Sequence, residues 1–200
     1  FPDALVRARN GLNQAFETLQ GWFTRAQGAN IKSFELEIPV QIASMAIDVD
    51  IEFNDESDFS WNGSVLSPIV DGLFILFENA VSKSGLPKSE IQLCAKASKT
   101  EDSLIISVQN RCAPRDDLAT SNSALDRYRD PRGYQSAVNA AQAEGGSGFF
   151  KLWHLLEKDM NLIHEVKLGF ATIDSFEVQI IISLSECQKV CSDEDTIDRR

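Results

Sequence analysis

Residues 65 to 84 most constrain what this chain can fold into. Leu66, Ile69, Val70, Leu73, Phe74, Leu76, Phe77, Ala80 and Val81 recur at helical spacing and leave little polar surface. The segment is therefore expected to be a helix buried on most sides. Late in it sits a Glu78-Asn79 pair. A buried helix has little reason to carry a carboxamide unless something polar lies against it. The chain returns 66 residues after Asn79 with Gly145-Gly146-Ser147-Gly148, opening another apolar helix. A glycine-rich helix start exposes backbone N–H groups that suit phosphate oxygens. The two features together imply a nucleotide pocket closed from both sides.

Around this pair the pattern reads as a run of alternating elements. Phe34 to Ile47, with Pro39 near the start, predicts a helix of roughly ten residues. Val49 to Phe53 alternates as a strand, and acidic turn residues follow before Trp61-Asn62-Gly63. After Gly85-Leu86-Pro87, strands are expected over Glu90–Ser98 and Ser103–Gln109. Residues 111–144 are polar and long enough to be a functional lid or a disordered connection, with a short helix at Ser136 to Ala143. A helix over Phe149–Asp159 and a hairpin of Ile163–Phe170 with Ser175–Leu184 close the order.

The ends differ from the middle. Leu5, Ala8, Leu12, Ala15, Leu19, Trp22 and Ala26 form a heptad-like seam, so residues 1–30 read as a linker or dimerisation helix or as a helix packed on its own domain. The first reading makes a homodimer the expected partner. Residues 31–185 make one domain, and 186–200 an acidic flexible tail. The chain starts at Phe1, which suggests a piece excised from a longer polypeptide whose other domains are its partners. A net charge of −11 without a basic stripe disfavours nucleic acid and anionic membranes. No uninterrupted apolar run approaches the ~20 residues of a membrane span, and no leader precedes the domain, so a cytoplasmic location is expected. Cys94, Cys112, Cys187 and Cys191 have neither zinc-finger spacing nor a dense disulfide pattern.

The element order and the two motifs resemble the GHKL superfamily of ATPases, which includes gyrases, ninety-kilodalton heat-shock chaperones, sensor histidine kinases and mismatch-repair ATPases. The resemblance spans roughly residues 35 to 185. It implies an α+β fold, a two-layer sandwich of a mixed β-sheet against helices (the Bergerat fold), with ATP held between helices under a lid. Asn79 stands where the family's Asn coordinates Mg²⁺ bridging the phosphates, and an amide oxygen suits that hard cation. Ile75, one turn earlier, stands where the family places Glu or Asn to activate or orient the attacking group, and a hydrocarbon can do neither. The family's Asp-x-Gly-x-Gly becomes Asn110-Arg111-Cys112-Ala113-Pro114. Asn110 can still accept a hydrogen bond from adenine through its carbonyl oxygen; the other reading is that it caps a strand end. The third motif is echoed by Gly146-Ser147-Gly148-Phe149-Phe150-Lys151, with Phe150 in place of a glycine. Lys151 either reaches a phosphate from the first helical turn or points to solvent. Arg127, Arg129 and Arg132 are further phosphate candidates in the lid.

The implied site is thus Asn79, Asn110, Gly145, Gly146, Ser147, Gly148 and Lys151, with ATP and Mg²⁺ as cofactors and no catalytic residue assigned. Residues 1 to 30 contain no His, so a phosphoacceptor could lie only outside this chain. The expected function is a divergent ATP-binding domain of a larger regulatory protein, hydrolysing slowly or not at all. The alternative is a pseudo-ATPase kept as a protein-interaction module with an empty pocket.

Overall fold

The computed structural model describes residues 31–129 and 148–187. The readings for residues 1–30, for the short helix at 136–143 and for most of the acidic tail lie outside these residues. In chain order the main elements are β1 (Ser33–Phe34), α1 (Glu37–Ile47), β2 (Ile51–Glu56), β3 (Trp61–Asn62), α2 (Leu66–Lys83), β4 (Leu93–Lys99) and β5 (Ser103–Arg111). Two short helices, α3 (Leu118–Ser123) and α4 (Asp126–Arg129), precede α5 (Gly148–His154), β6 (His164–Thr172) and β7 (Ser175–Ser183).

The large sheet has the order β2-β4-β5-β7-β6. Strand β2 pairs with β4 in parallel, which the intervening α2 makes possible as a crossover, and all other pairs are antiparallel. Burial alternates along the strands: Leu93, Ala95 and Ala97 of β4, Leu104, Ile106 and Val108 of β5, and Val178, Ile180 and Ile182 of β7 face inward. Their neighbours Cys94, Lys96 and Gln109 face out. One face is wet and the other is covered by helices, giving the α+β two-layer arrangement that the resemblance implies.

Helix α2 is the centre of the covered face. Leu66, Ile69, Val70, Leu73, Leu76, Phe77 and Ala80 are buried, whereas Phe74 and Glu78 reach solvent. By length and composition alone, Gly63–Lys83 would qualify as a membrane span, at mean hydropathy 1.5. That exceeds what the absence of an unbroken apolar run suggests, because Ser67, Asp71 and Glu78 interrupt the run without lowering its mean much. Half of the span is buried inside this fold. Gly72 faces Leu152 and Leu155, and a Cβ there would meet them in ordinary van der Waals contact at 3.5 and 3.7 Å.

The helix of roughly ten residues expected within Phe34 to Ile47 is α1, and Ser33 and Phe34 before it pair antiparallel with Asn62 and Trp61. Pro39 lies in the first helical turn, where its missing N–H costs nothing. Two local expectations need correction. The strand predicted over Val49 to Phe53 runs instead over Ile51–Glu56, since Asp48 takes a left-handed conformation (φ 53°) to end α1. Acidic composition read as turn is therefore edge strand. The lid predicted over residues 111–144 does not begin at residue 111. Arg111 still belongs to β5, and residues 112–115 are tied down: the Cys112 N–H donates to Asp174 O, Ala113 to Ser84 O and Arg115 to Ile173 O.

His164 opens β6 with its ring 4.6 Å from that of Trp153. Its Nδ1 meets the Leu162 carbonyl oxygen at 2.8 Å, and its buried Nε2 has no partner among the described residues. Burial pushes its pKa below the ordinary 6.5, against the opposing pull of the Leu162 carbonyl and of Glu157. The unfolded chain then binds the proton more readily than the folded one. The stability so contributed is complete above pH 6.5 and declines as pH falls through the folded pKa. NMR titration of the His164 ring should give a pKa under 6.5, and His164→Phe should flatten the acid-side loss of stability; a ring titrating at or above 6.5 would refute this account.

Candidate functional site

A cavity of about 480 Å³ lies between α2, the inner sheet face and the start of α5. This volume falls in the range of small-molecule sites. Leu76, Ala80, Val108 and Val178 supply an apolar floor, and Ala124, Leu125 and Tyr128 from α3–α4 cover one side. Asn79, Asn110 and Gly148 all line it.

Asn79 and Gly148, distant in sequence, are in contact. A Cβ added to Gly148 would sit 2.5 Å from Asn79 Nδ2 and 2.9 Å from its Oδ1. Only a bare backbone allows α5 to start this close to α2. Asn79 Nδ2 is buried without a hydrogen-bond partner among the described residues. An orphaned buried amide of this kind costs free energy unless a ligand or water satisfies it.

Asn110 is buried (4% exposed) near the end of β5, opposite Phe176 of β7. Its Nδ2 donates to the Arg111 carbonyl at 2.9 Å, which leaves Oδ1 as an acceptor at the cavity wall. Lys83 and Arg115 are the charged residues of the lining, and both are cationic. Among the described lining residues there is no carboxylate, in a chain that carries thirty of them.

Other predicted positions are not brought together here. Lys151 is exposed on α5 and does not line the cavity. Gly145, Gly146 and Ser147 lie outside the described residues, as does Arg132. Arg129 is committed elsewhere: its Nε and guanidinium nitrogen donate to the Leu168 carbonyl at 3.0 and 2.8 Å, and it pairs with Asp126. It is therefore a structural clamp on β6 and not a free phosphate ligand. Ile75 is half-buried and outside the lining.

Sequence reasoning missed Lys83, Arg115 and the aromatic pair Phe170–Phe176, whose rings meet edge-on at 5.0 Å. Lys83 was legible in principle, since it lies four residues after Asn79 on the same helix face. Arg115, Phe170 and Phe176 were not, because tertiary pairing alone joins their segments.

The residues fit Mg²⁺ in one respect. Asn79 can offer a single neutral oxygen, and the remaining ligands of such a cation would have to be phosphates and water. Among the described residues no cluster of three His, Cys, Asp or Glu could hold a metal by itself.

No protein-family model and no curated protein sequence matches the chain. Similar solved structures include the catalytic domain of histidine kinase ThkA, at 12% identity and a TM-score of 0.48 over 76% of this chain and 93% of that one. The mycobacterial sensor histidine kinase MprB is similar at 9% identity and a TM-score of 0.49, over 76% and 97%. The histidine kinase domain of a blue-light activated histidine kinase from Erythrobacter litoralis is similar at 15% identity and a TM-score of 0.48, over 76% and 65%. Likeness of this degree says nothing by itself about ligand or activity.

The Asn79–Gly148 contact makes a double-mutant prediction. Gly148→Ala should destabilise the chain, and Asn79→Ala in the same molecule should relieve most of that cost. Denaturant melts of the four variants should give a coupling of roughly 0.5–3 kcal/mol. Additive effects would mean that the two residues are not in contact.

Proposed function

We propose that this chain is a nucleotide-binding domain of a larger regulatory protein. It takes a purine nucleoside triphosphate with Mg²⁺, ATP being the member that the resemblance implies. The observation that carries this reading is the meeting of Asn79, Asn110 and Gly148 around one cavity, with an unsatisfied carboxamide against a bare backbone. Two cations and no acid on the described lining suit a polyanionic ligand. Asn79 would hold the metal, Lys83 would neutralise phosphate charge, and Asn110 would contact the base. Bound Mg²⁺ would supply charge neutralisation across the phosphates.

Hydrolysis in this reading is slow or absent. Ile75 cannot take a proton, and no described lining residue offers a carboxylate to orient water. Signalling would come from a ligand-biased two-state element able to act on a neighbouring domain. A domain that binds partners with its cavity empty is the second reading. The burial of Phe150, where the resemblance places a glycine, favours it.

Thermal or denaturant unfolding with added nucleotide separates the two. Purine nucleoside triphosphate with Mg²⁺ at ~100 times its Kd should stabilise the chain by about 2.7 kcal/mol. Asn79→Ala should remove the Mg²⁺-dependent part. The absence of any shift with millimolar ATP or GTP would leave the interaction module.

A further inference from the structure

Arg115 stands at the end of the cavity where the base would lie. Its backbone N–H is held by the Ile173 carbonyl at 2.8 Å, which fixes it beside the β6–β7 turn. The guanidinium carbon lies 5.0 Å from the centroid of the Phe170 ring, stacked as a cation on an aromatic face. Phe170 in turn meets Phe176, and Phe176 is the cross-strand partner of Asn110. Asn110, Phe176, Phe170 and Arg115 therefore form one continuous wall. Among the described residues the buried Arg115 Nε has no hydrogen-bond partner and no carboxylate pairs with the side chain. A half-buried guanidinium on a cavity lining, with one donor buried and unpaired, is a recognition group in search of acceptors.

The chemistry of that fork discriminates between purines. Guanine and hypoxanthine present two adjacent acceptors, O6 and N7, which a guanidinium takes together, and an N1–H that Asn110 Oδ1 can accept. Adenine presents an amino group beside N7, so one guanidinium donor would face another donor and stay unpaired. We propose that Arg115 reads the base and selects a purine with a 6-carbonyl group over adenine. This rests on the nucleotide-binding reading above and narrows its ligand to GTP-like nucleotides.

Isothermal titration calorimetry of the 200-residue chain with GTP, ITP and ATP, each with Mg²⁺, tests it. GTP and ITP should bind roughly tenfold or more tightly than ATP, as one bidentate base contact allows. ITP is informative because it keeps O6, N7 and N1–H but lacks the 2-amino group. Arg115→Ala should bring the three affinities together, and Arg115→Lys, which keeps the charge but not the fork, should do nearly the same. Circular dichroism melts of both variants would establish that they fold. Equal or tighter binding of ATP by the unaltered chain would overturn the proposal and leave nucleotide binding intact. A GTP preference that survives in Arg115→Ala would overturn the role of Arg115. Binding of none of the three would overturn both readings.

Discussion

The close approach of α5 to α2 at Gly148 and Asn79 is the constraint on which the cavity depends. A side chain at position 148 would occupy the space of the Asn79 amide, so the opening of α5 has to be bare. About two turns earlier on α2, Gly72 faces Leu152 and Leu155 of the same seam, where even a Cβ would make ordinary contact. The Trp153 indole adds a second fixing point, donating to the Tyr128 carbonyl at 3.1 Å and so holding α5 to α4. With the seam fixed, the cavity walls have little freedom: α2 on one side, the sheet below, α3–α4 across from it.

Charge is distributed in a way that composition hides. The chain has a net charge of −11, yet the cavity lining carries Lys83 and Arg115 and, among described residues, no acid. The described carboxylates lie outside it, several of them on β2 and in exposed pairs such as Asp48 with Lys88 and Glu56 with Lys96. Such exposed pairs add little stability. The charge on the described lining is thus opposite in sign to the net charge of the chain.

Much of the sheet and the long helix was legible because both obey strict periods. Leu93, Ala95 and Ala97 alternate, and the α2 residues repeat at three and four, so burial could be read directly from spacing. The short pairing of Ser33–Phe34 with Trp61–Asn62 was not legible, since two-residue strands have no period to detect. Residues 112–129 looked like a lid because they are polar. Their polarity proves to be structural: the Asn122 amide donates to the Phe170 carbonyl and accepts from the Phe170 N–H, and Arg129 grips Leu168. Side chains that satisfy distant backbone leave no local signature. For the same reason Asn79 and Gly148 could be singled out from sequence, each being odd in its own helix, while Arg115 could not.

The Asn122 clamp has a consequence for how copies of this chain meet. By binding both backbone groups of Phe170, with Arg129 on the Leu168 carbonyl, α3 and α4 fill hydrogen-bonding positions on one border of the large sheet that a foreign strand would otherwise occupy. The opposite border, β2, carries the acids Glu52, Asp55 and Glu56, whose negative charges disfavour an identical neighbour. One margin is plugged and the other electrically guarded, so the sheet resists growing into a fibre by two unrelated means.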